Sequence, residues 1–320
     1  MLTYLLANLL HTLVVLIWLA GLRRVSGPIP PSLWSGLLSL ALVAPMIVIL
    51  WRILGLPGVP AESMLLRVDL WADTIRLAPW PYQALFALLL LGTTSIFVVQ
   101  EAVPTWRSLG RQRHAERVRD ERLSAHFDKV QASFQRIGKS RPRGREVIVR
   151  RLETEALVAA LVGILNPVIV VSRGLIDLLD DEELEGVVAH ELAHYYHGGN
   201  MGLFAIWLAR LLQAPNPAAL ILFRELIEAR ETLCDAEAAR ATKKPASLAS
   251  ALLKSVPNTA QSKEPTAWKR ARRSVMDTAK KEALVGRARE LIDATSFEPP
   301  PRLFFWAAAT ALGALLWAIA

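Results

Sequence analysis

Three stretches of almost continuous apolar residues fill the first third of the chain, and a fourth lies at its end. They cover residues 2–22, 33–54, 82–103 and 303–320. Each is long enough to cross the hydrocarbon core of a bilayer as a helix, which takes about 20 residues. The pattern therefore predicts four transmembrane helices, an external loop over 55–81 and a large polar domain over 104–302.

Along the polar domain, the spacing of the apolar residues changes from helical to strand-like and back to helical. Apolar residues at helical spacing, among them Val118, Phe127 and Phe134, predict a basic amphipathic helix that leaves the membrane. The β-branched runs at 146–152 and 167–172 predict strands, either of which could hold an extended substrate by edge pairing. Three further helices are predicted over 180–197, 218–241 and 268–294. The domain is therefore of the α+β class.

The segment from Met201 to Phe223 is apolar but is interrupted by Arg210, Pro215 and Pro217. Its apolar runs are too short for an ordinary membrane span. It fits either a re-entrant or interfacial helix or a buried helix pair over the active site. The pattern favours the buried pair.

Positive charge indicates the orientation of the chain. The 37 Lys and Arg exceed the 29 Asp and Glu, and the excess lies after residue 104. Arg23 and Arg24 follow the first apolar stretch, and an arginine cluster from Arg107 to Arg122 follows the third. By the positive-inside rule these clusters mark the cytosolic side. We expect an inner-membrane protein with a cytosolic 104–302 domain and both termini outside. Its basic residues should face the lipid bilayer, and no direct nucleic-acid binding is expected.

The stretch from Val187 to His197 contains the strongest chemical signal, the motif His190-Glu191-Leu-Ala-His194. Residues four apart lie on one face of a helix, so His190 and His194 can both bind one zinc ion. Glu191 is rotated by about 100° from His190, which places it beside the metal as a general base. Three of the six histidines fall within these few positions. The motif therefore favours a metal site over an amphipathic core helix that contains two histidines by chance.

A catalytic zinc needs a third protein ligand and an open fourth position. His197 is near in sequence, but its spacing from His194 would pull it round the helix. Glu228, Glu231 and Asp235 share one stripe of the next long helix. Spacing alone does not choose between Glu228 and Glu231, and a surface stripe of salt bridges would show the same pattern.

The sequence Glu231-Thr-Leu-Cys234-Asp235 after a His-Glu-x-x-His site resembles the BlaR/MecR class of membrane metallopeptidases, the β-lactam-sensing antirepressor proteases. The run Ser172-Arg-Gly-Leu-Ile, the pair Asn216-Pro217 and the order of the spans are similar as well. The resemblance implies a gluzincin-like zinc peptidase domain. It also implies Glu231 as third metal ligand, Asp235 as the orienter of a ligand histidine, and Cys234 as a small buried residue.

Two features depart from that class. Many relatives carry Asp where this chain has Gly199, and no penicillin-binding sensor domain is expected after the last span. We therefore expect regulatory proteolysis of a cytosolic repressor-like protein, or of the protease itself, with a separate partner as sensor.

Three further classes of protein share parts of this pattern. An HtpX-like quality-control protease has the same zinc signature but usually has a different arrangement of spans. A non-catalytic signalling scaffold would use zinc only for stability. The charged run from Asp180 to Glu185 argues against a site-2 protease, whose motif lies inside a membrane helix. No residue is assigned as the oxyanion stabiliser, although Tyr195, Tyr196 and Asn200 are near the motif.

Overall fold

The computed structural model describes residues 2–27, 29–57, 68–102, 117–139, 146–255, 282, 284–292 and 302–319. Three arginines of the predicted basic cluster, Arg107, Arg111 and Arg113, lie outside these residues. So do most of the helix predicted from residue 268 and part of the loop predicted at 55–81.

The helices are α1 Leu2–Ser26, α2 Pro31–Ile53, α3 Val68–Leu77, α4 Trp80–Phe97, α5 Glu121–Arg136, α6 Arg173–Leu178, α7 Asp181–Tyr196, α8 Gly199–Leu212, α9 Pro217–Thr242, α10 Pro245–Lys254, α11 at 284–292 and α12 Arg302–Ile319. The strands are β1 Arg117–Val118, β2 Ile148–Leu152, β3 Ala159–Val162 and β4 Val168–Ser172. A π-helical turn, Val98–Ala102, follows α4.

The chain separates into two compact units. The first unit is Met1–Arg113, Phe204–Arg230 and Pro299–Ala320, and the second is His114–Leu203 and Glu231–Glu298. In the first unit, three helical stretches are long and apolar enough to cross a membrane: Tyr4–Ser26, Pro31–Trp51 and Trp80–Gln100. The three predicted N-terminal spans are thus helices of sufficient length, and the protein is a membrane protein.

The final apolar stretch forms the shorter helix α12, so the fourth span stays a prediction. This helix packs closely on α2. A Cβ atom placed on Gly36 would come within 2.9 Å of the Phe305 ring, so glycine permits the close approach. The loop predicted at 55–81 contains a helix that the apolar pattern did not reveal, α3, whose Ile75 packs against Leu6, Ala7 and Ile49.

The turn between α8 and α9 is anchored to the first two helices by buried side-chain amides. Asn8 donates from Nδ2 to Gln213 Oε1 over 3.0 Å. Gln213 donates from Nε2 to the Leu42 carbonyl over 2.9 Å, and Asn216 Nδ2 donates to Asn8 Oδ1 over 2.6 Å. A buried amide without partners would be costly, so these bonds fix the turn in place. The sequence favoured a helix pair over the active site, and these contacts place 204–230 in the first unit together with the three apolar N-terminal helices.

The second unit contains a four-stranded sheet in the order β1-β2-β4-β3. β2 and β4 are parallel, and the two outer pairings are antiparallel. The two predicted strands occur at 148–152 and 168–172. Within the described residues each has a neighbour on both sides, although β1 pairs only with Arg151 and Leu152 of β2. The unpredicted strand β3 is an edge strand. Val118 lies in β1, which corrects the prediction that placed it on the amphipathic helix.

Helices α5 and α7 pack against each other and against the sheet. Helix α7 begins with a capping box, in which Asp180 accepts from the Glu183 backbone and Glu183 reaches back to the Asp180 backbone. It ends at Tyr196 with His197 as the C-cap residue, and Gly198 continues at φ 91°, a conformation that favours glycine. A Cβ on Gly186 would lie 3.2 Å from Leu248 Cα, so glycine lets α10 pack closely on α7. The helix is buried along most of its length, which holds its side chains in fixed positions.

Candidate metal centre

Helix α7 places the two motif histidines one turn apart on the same face. Their Nε2 atoms lie 3.1 Å from each other, and the rings meet edge to face. His190 is buried, with only 8% of its surface exposed. Two imidazole nitrogens therefore converge on one small region, as the spacing predicts.

Glu231 on α9 completes a cluster of three possible metal ligands. Its Oε2 lies 3.6 Å from His190 Nε2, and its Oε1 lies 3.5 Å from His194 Nε2. One ligand atom from each residue falls within 4.8 Å of the other two. Two imidazole nitrogens and one carboxylate form the donor set of a known type of catalytic zinc site, so the residues fit such an ion. Of the two candidates that spacing left open, the cluster contains Glu231.

Asp235 lies behind His190, one turn further along α9. Its Oδ1 is 2.8 Å from His190 Nδ1, and its side chain is almost fully buried. A carboxylate on Nδ1 fixes the ring orientation and leaves Nε2 facing the cluster. The buried Cys234 has its sulfur 3.3 Å from His194 Nδ1. The roles that the resemblance implied for Asp235 and Cys234 stay predictions.

Arg287 on α11 joins the site and was missed by the sequence analysis. Its guanidinium makes two bonds to Asp235, of 2.6 Å from Nε and 2.7 Å from Nη2. Its Nη1 lies 3.0 Å from Glu231 Oε2. A planar guanidinium can hold two carboxylates in a fixed arrangement. Nothing in the local sequence distinguishes this arginine from the other basic residues of its segment.

The charged groups of the cluster shift one another's pKa values. Burial lowers the pKa of His190, but hydrogen bonds to Asp235 and Glu231 outweigh it and raise the pKa to about 10. Burial raises the pKa of Glu231, but His190, His194 and Arg287 lower it to about 2. Despite burial, His190 and Arg287 also hold the pKa of Asp235 below its usual value. Both carboxylates are therefore ionised, the form in which they bind a cation or orient its ligands.

Glu191 is buried beside the cluster and faces the edge strand β3. Its carboxylate accepts a hydrogen bond from the Leu161 backbone. Burial, and then the charge of Glu231, raises the pKa of Glu191 against the opposing charge of His190. The side chain thus lies between the histidine pair and an edge strand, where it can exchange a proton with a group held there.

The other residues near the motif have structural contacts. Asn200 donates from Nδ2 to the carbonyls of Leu161 and Gly163, over 2.9 and 3.0 Å, and so holds the end of β3 to the first turn of α8. Tyr195 is buried in the core, and Tyr196 stacks on Phe134 with ring centroids 5.0 Å apart. His197 pairs with Glu237 over 2.8 Å. Among the described residues, His197 is not part of the cluster formed by His190, His194 and Glu231.

We expect Arg287→Gln to weaken metal retention by roughly 10-fold or more, because partners behind metal ligands contribute 10–100-fold to affinity. The measurement is metal content during competition with a chelator, using the purified full chain. Arg289→Gln is the matched control, since Arg289 is an exposed arginine on the same helical segment. Equal retention by the two variants would show that Arg287 does not position the ligands.

Comparison with known proteins gives one family and several relatives. The family described as BlaR1 peptidase M56 matches residues 79–280. A protease HtpX homolog from Salinibacter ruber is 33% identical over 113 residues, which cover 27% of this chain and 41% of the relative. A protease HtpX homolog from Halobacterium salinarum is 31% identical over 112 residues, covering 35% of this chain and 37% of the relative. The chain therefore spans about two-fifths of the length of these curated relatives.

Proposed function

The chain belongs to the BlaR1 peptidase M56 family, and from this membership and the site geometry we propose that it is a membrane zinc endopeptidase with a cytosolic active site. The family match covers well over half of the chain. The observation that carries the proposal is the convergence of His190, His194 and Glu231 in one cluster. Glu191 beside that cluster supplies the catalytic carboxylate.

We assign the zinc ligands to His190, His194 and Glu231, with Asp235 and Arg287 holding them in position. A bound zinc ion supplies Lewis acidity, which acidifies water and polarises the scissile carbonyl. Glu191 accepts the proton of the attacking water and then delivers it to the leaving amine. The buried position of Glu191 keeps this proton close to the reacting groups, since its carboxylate is shielded from bulk solvent.

The edge strand β3 supports an extended peptide as substrate. β3 has β4 as its neighbour on one side, and its other side is the outer edge of the sheet. A substrate strand can add to such an edge through backbone hydrogen bonds. The bond from Leu161 to Glu191, and those from Asn200 to β3, fix this edge beside the catalytic carboxylate.

We propose that the proteolysis is regulatory and acts on a cytosolic repressor-like protein or on the chain itself. The support is the resemblance of Glu231 to Asp235 to the antirepressor class, together with the family match. A separate partner would then act as the sensor. HtpX-like quality control is an equally supported second candidate, because two HtpX homologs are 33% and 31% identical to the chain over 113 and 112 residues.

The two candidates differ in how many proteins are cut. Cleaved peptides would be compared between cells with the wild-type protein and cells with Glu191→Gln. Regulatory proteolysis predicts that one or a few cytosolic proteins are no longer cleaved in the Glu191→Gln cells. Quality control predicts that cleavage of many damaged membrane proteins is lost. If the two cell types yield identical cleavage products under inducing conditions, the endopeptidase proposal fails.

The proposed topology predicts where a reporter will be active. With residues 104–302 in the cytosol and the chain end outside, an enzyme active only outside the membrane should be silent after Gln261 and active after Ala320. The reason is the positive charge after the first and third spans, since charges within about 15–20 residues of span ends set orientation. The opposite pattern would exclude every cytosolic substrate proposed here.

A further inference from the structure

The first unit contains a cavity of about 580 Å³ at the end of the first membrane-spanning helix. Its lining combines an apolar wall with charged residues: Leu16, Ile17, Leu19, Ala20, Arg23, Arg24, Trp34 and Glu225. The volume is within the roughly 300–1,000 Å³ range of small-molecule sites. The site is separate from the metal cluster, to which it contributes no residue.

The lining of this cavity changes from apolar to charged along α1, as a bilayer changes from hydrocarbon to headgroups. Leu16 to Ala20 belong to the part of α1 that is apolar enough to lie in hydrocarbon. Arg23 and Arg24 occupy the last turn of the same helix, where lipid headgroups begin. Trp34 lies near the start of the second span, a common position for aromatic residues at the membrane interface. A molecule that fills the cavity therefore needs a hydrocarbon chain and a polar head.

The charges favour an anionic head. The Arg23 guanidinium carbon lies 5.5 Å from the centre of the Trp34 ring, and both residues line the cavity. Within the described residues, neither Arg23 nor Arg24 forms an ion pair with a carboxylate. Glu225 offsets one of the two positive charges, so the lining keeps one net positive charge. That balance complements a headgroup with a single negative charge.

We propose that this cavity is a binding site for one anionic phospholipid, with an acyl chain along Leu16 to Ala20 and the phosphate at Arg23 and Arg24. Basic pockets between membrane helices are a recognised way of holding acidic lipid headgroups. The proposal is independent of the proposed proteolysis.

The test measures lipid retention by the purified full chain in neutral detergent, using native mass spectrometry. Dioleoyl phosphatidylglycerol is titrated against dioleoyl phosphatidylcholine, which has the same chains but no net charge. We expect one phosphatidylglycerol per chain to be held more tightly than phosphatidylcholine. Glycerol phosphate, which has the headgroup charge without chains, should not displace it. Equal retention of the two lipids, or displacement by glycerol phosphate, would overturn the site.

Two kinds of variant separate the head from the chain. The double variant Arg23→Gln, Arg24→Gln should lose the preference for phosphatidylglycerol over phosphatidylcholine. Each arginine should account for about 5-fold of the phosphatidylglycerol affinity. Ala20→Trp should fill the cavity and lower phosphatidylglycerol retention with both arginines intact. The controls are Arg76→Gln, which removes an exposed arginine on α3, and Ala87→Trp, which adds the same bulk to an exposed position of α4.

Both controls should bind phosphatidylglycerol like the wild type. Melting temperatures show that each variant is folded, and Ala20→Leu replaces Ala20→Trp if the larger side chain unfolds the chain. A folded double arginine variant that keeps the wild-type preference would refute the proposal, as would a folded cavity-filling variant with unchanged retention.

Discussion

Glu191→Gln should keep the metal but lose proteolysis, with a fall in rate of about 10²–10⁴-fold, the usual contribution of a general base. Glutamine has nearly the shape of glutamate, so the buried position beside Leu161 can still be filled. The amide cannot accept and return a proton at neutral pH. The measurements are zinc content and the cleavage rate of a peptide substrate, made on the same purified protein.

Glu182→Gln is the matched control for this experiment. Glu182 is on the same helix, but its side chain is 59% exposed and pairs with Lys244. The Glu182→Gln variant should cleave the peptide at the wild-type rate. If Glu191→Gln also did so with its zinc retained, Glu191 would not be the base and the proposed mechanism would be wrong.

The site helix could be predicted from sequence because its signals are local. Asp180 and Glu183 form a capping box from residues close in sequence, and the two histidines lie one turn apart whenever the segment is helical. The position of Glu231 beside the two histidines has no such local signal, because it depends on how a second helix packs against the first. There the prediction of Glu231 rather than Glu228 rests on the resemblance, since spacing alone does not choose between them.

The features that sequence reasoning missed are set by tertiary contacts. The edge strand β3 is only four residues long and starts with two alanines, so its pattern shows neither alternation nor a β-branched run. Its position follows from pairing with β4 and from the Asn200 bonds. Arg287 reaches Asp235 from a segment 52 residues away in sequence, which no local pattern reveals.

The placement of 204–230 shows a related limit of apolar patterning. Arg210, Pro215 and Pro217 interrupt the apolar runs, which favoured a buried helix pair, and the polar residues Gln213 and Asn216 lie among them. In the structure these amides bond to Asn8 and to the Leu42 carbonyl. Polar residues that satisfy each other between helices are compatible with an apolar surrounding, whereas single-sequence patterns register only their polarity.

His190→Ala, His194→Ala and Glu231→Ala should each remove most of the zinc, whereas Glu228→Ala should retain it. A catalytic zinc has three protein ligands, so the loss of one leaves two. We expect affinity to fall by more than the 10–100-fold typical of the partners behind the ligands. Glu228 is exposed and lies outside the cluster, so it is a matched carboxylate control for Glu231 on the same helix.

Metal analysis of the purified variants distinguishes the possible ligand sets. Melting temperatures are measured in parallel, so that zinc loss through unfolding is recognised. If Glu228→Ala lost zinc and Glu231→Ala kept it, the third ligand would be Glu228. If both kept zinc while the histidine variants lost it, the third ligand would lie elsewhere, and the carboxylate cluster around Arg287 would serve structure alone.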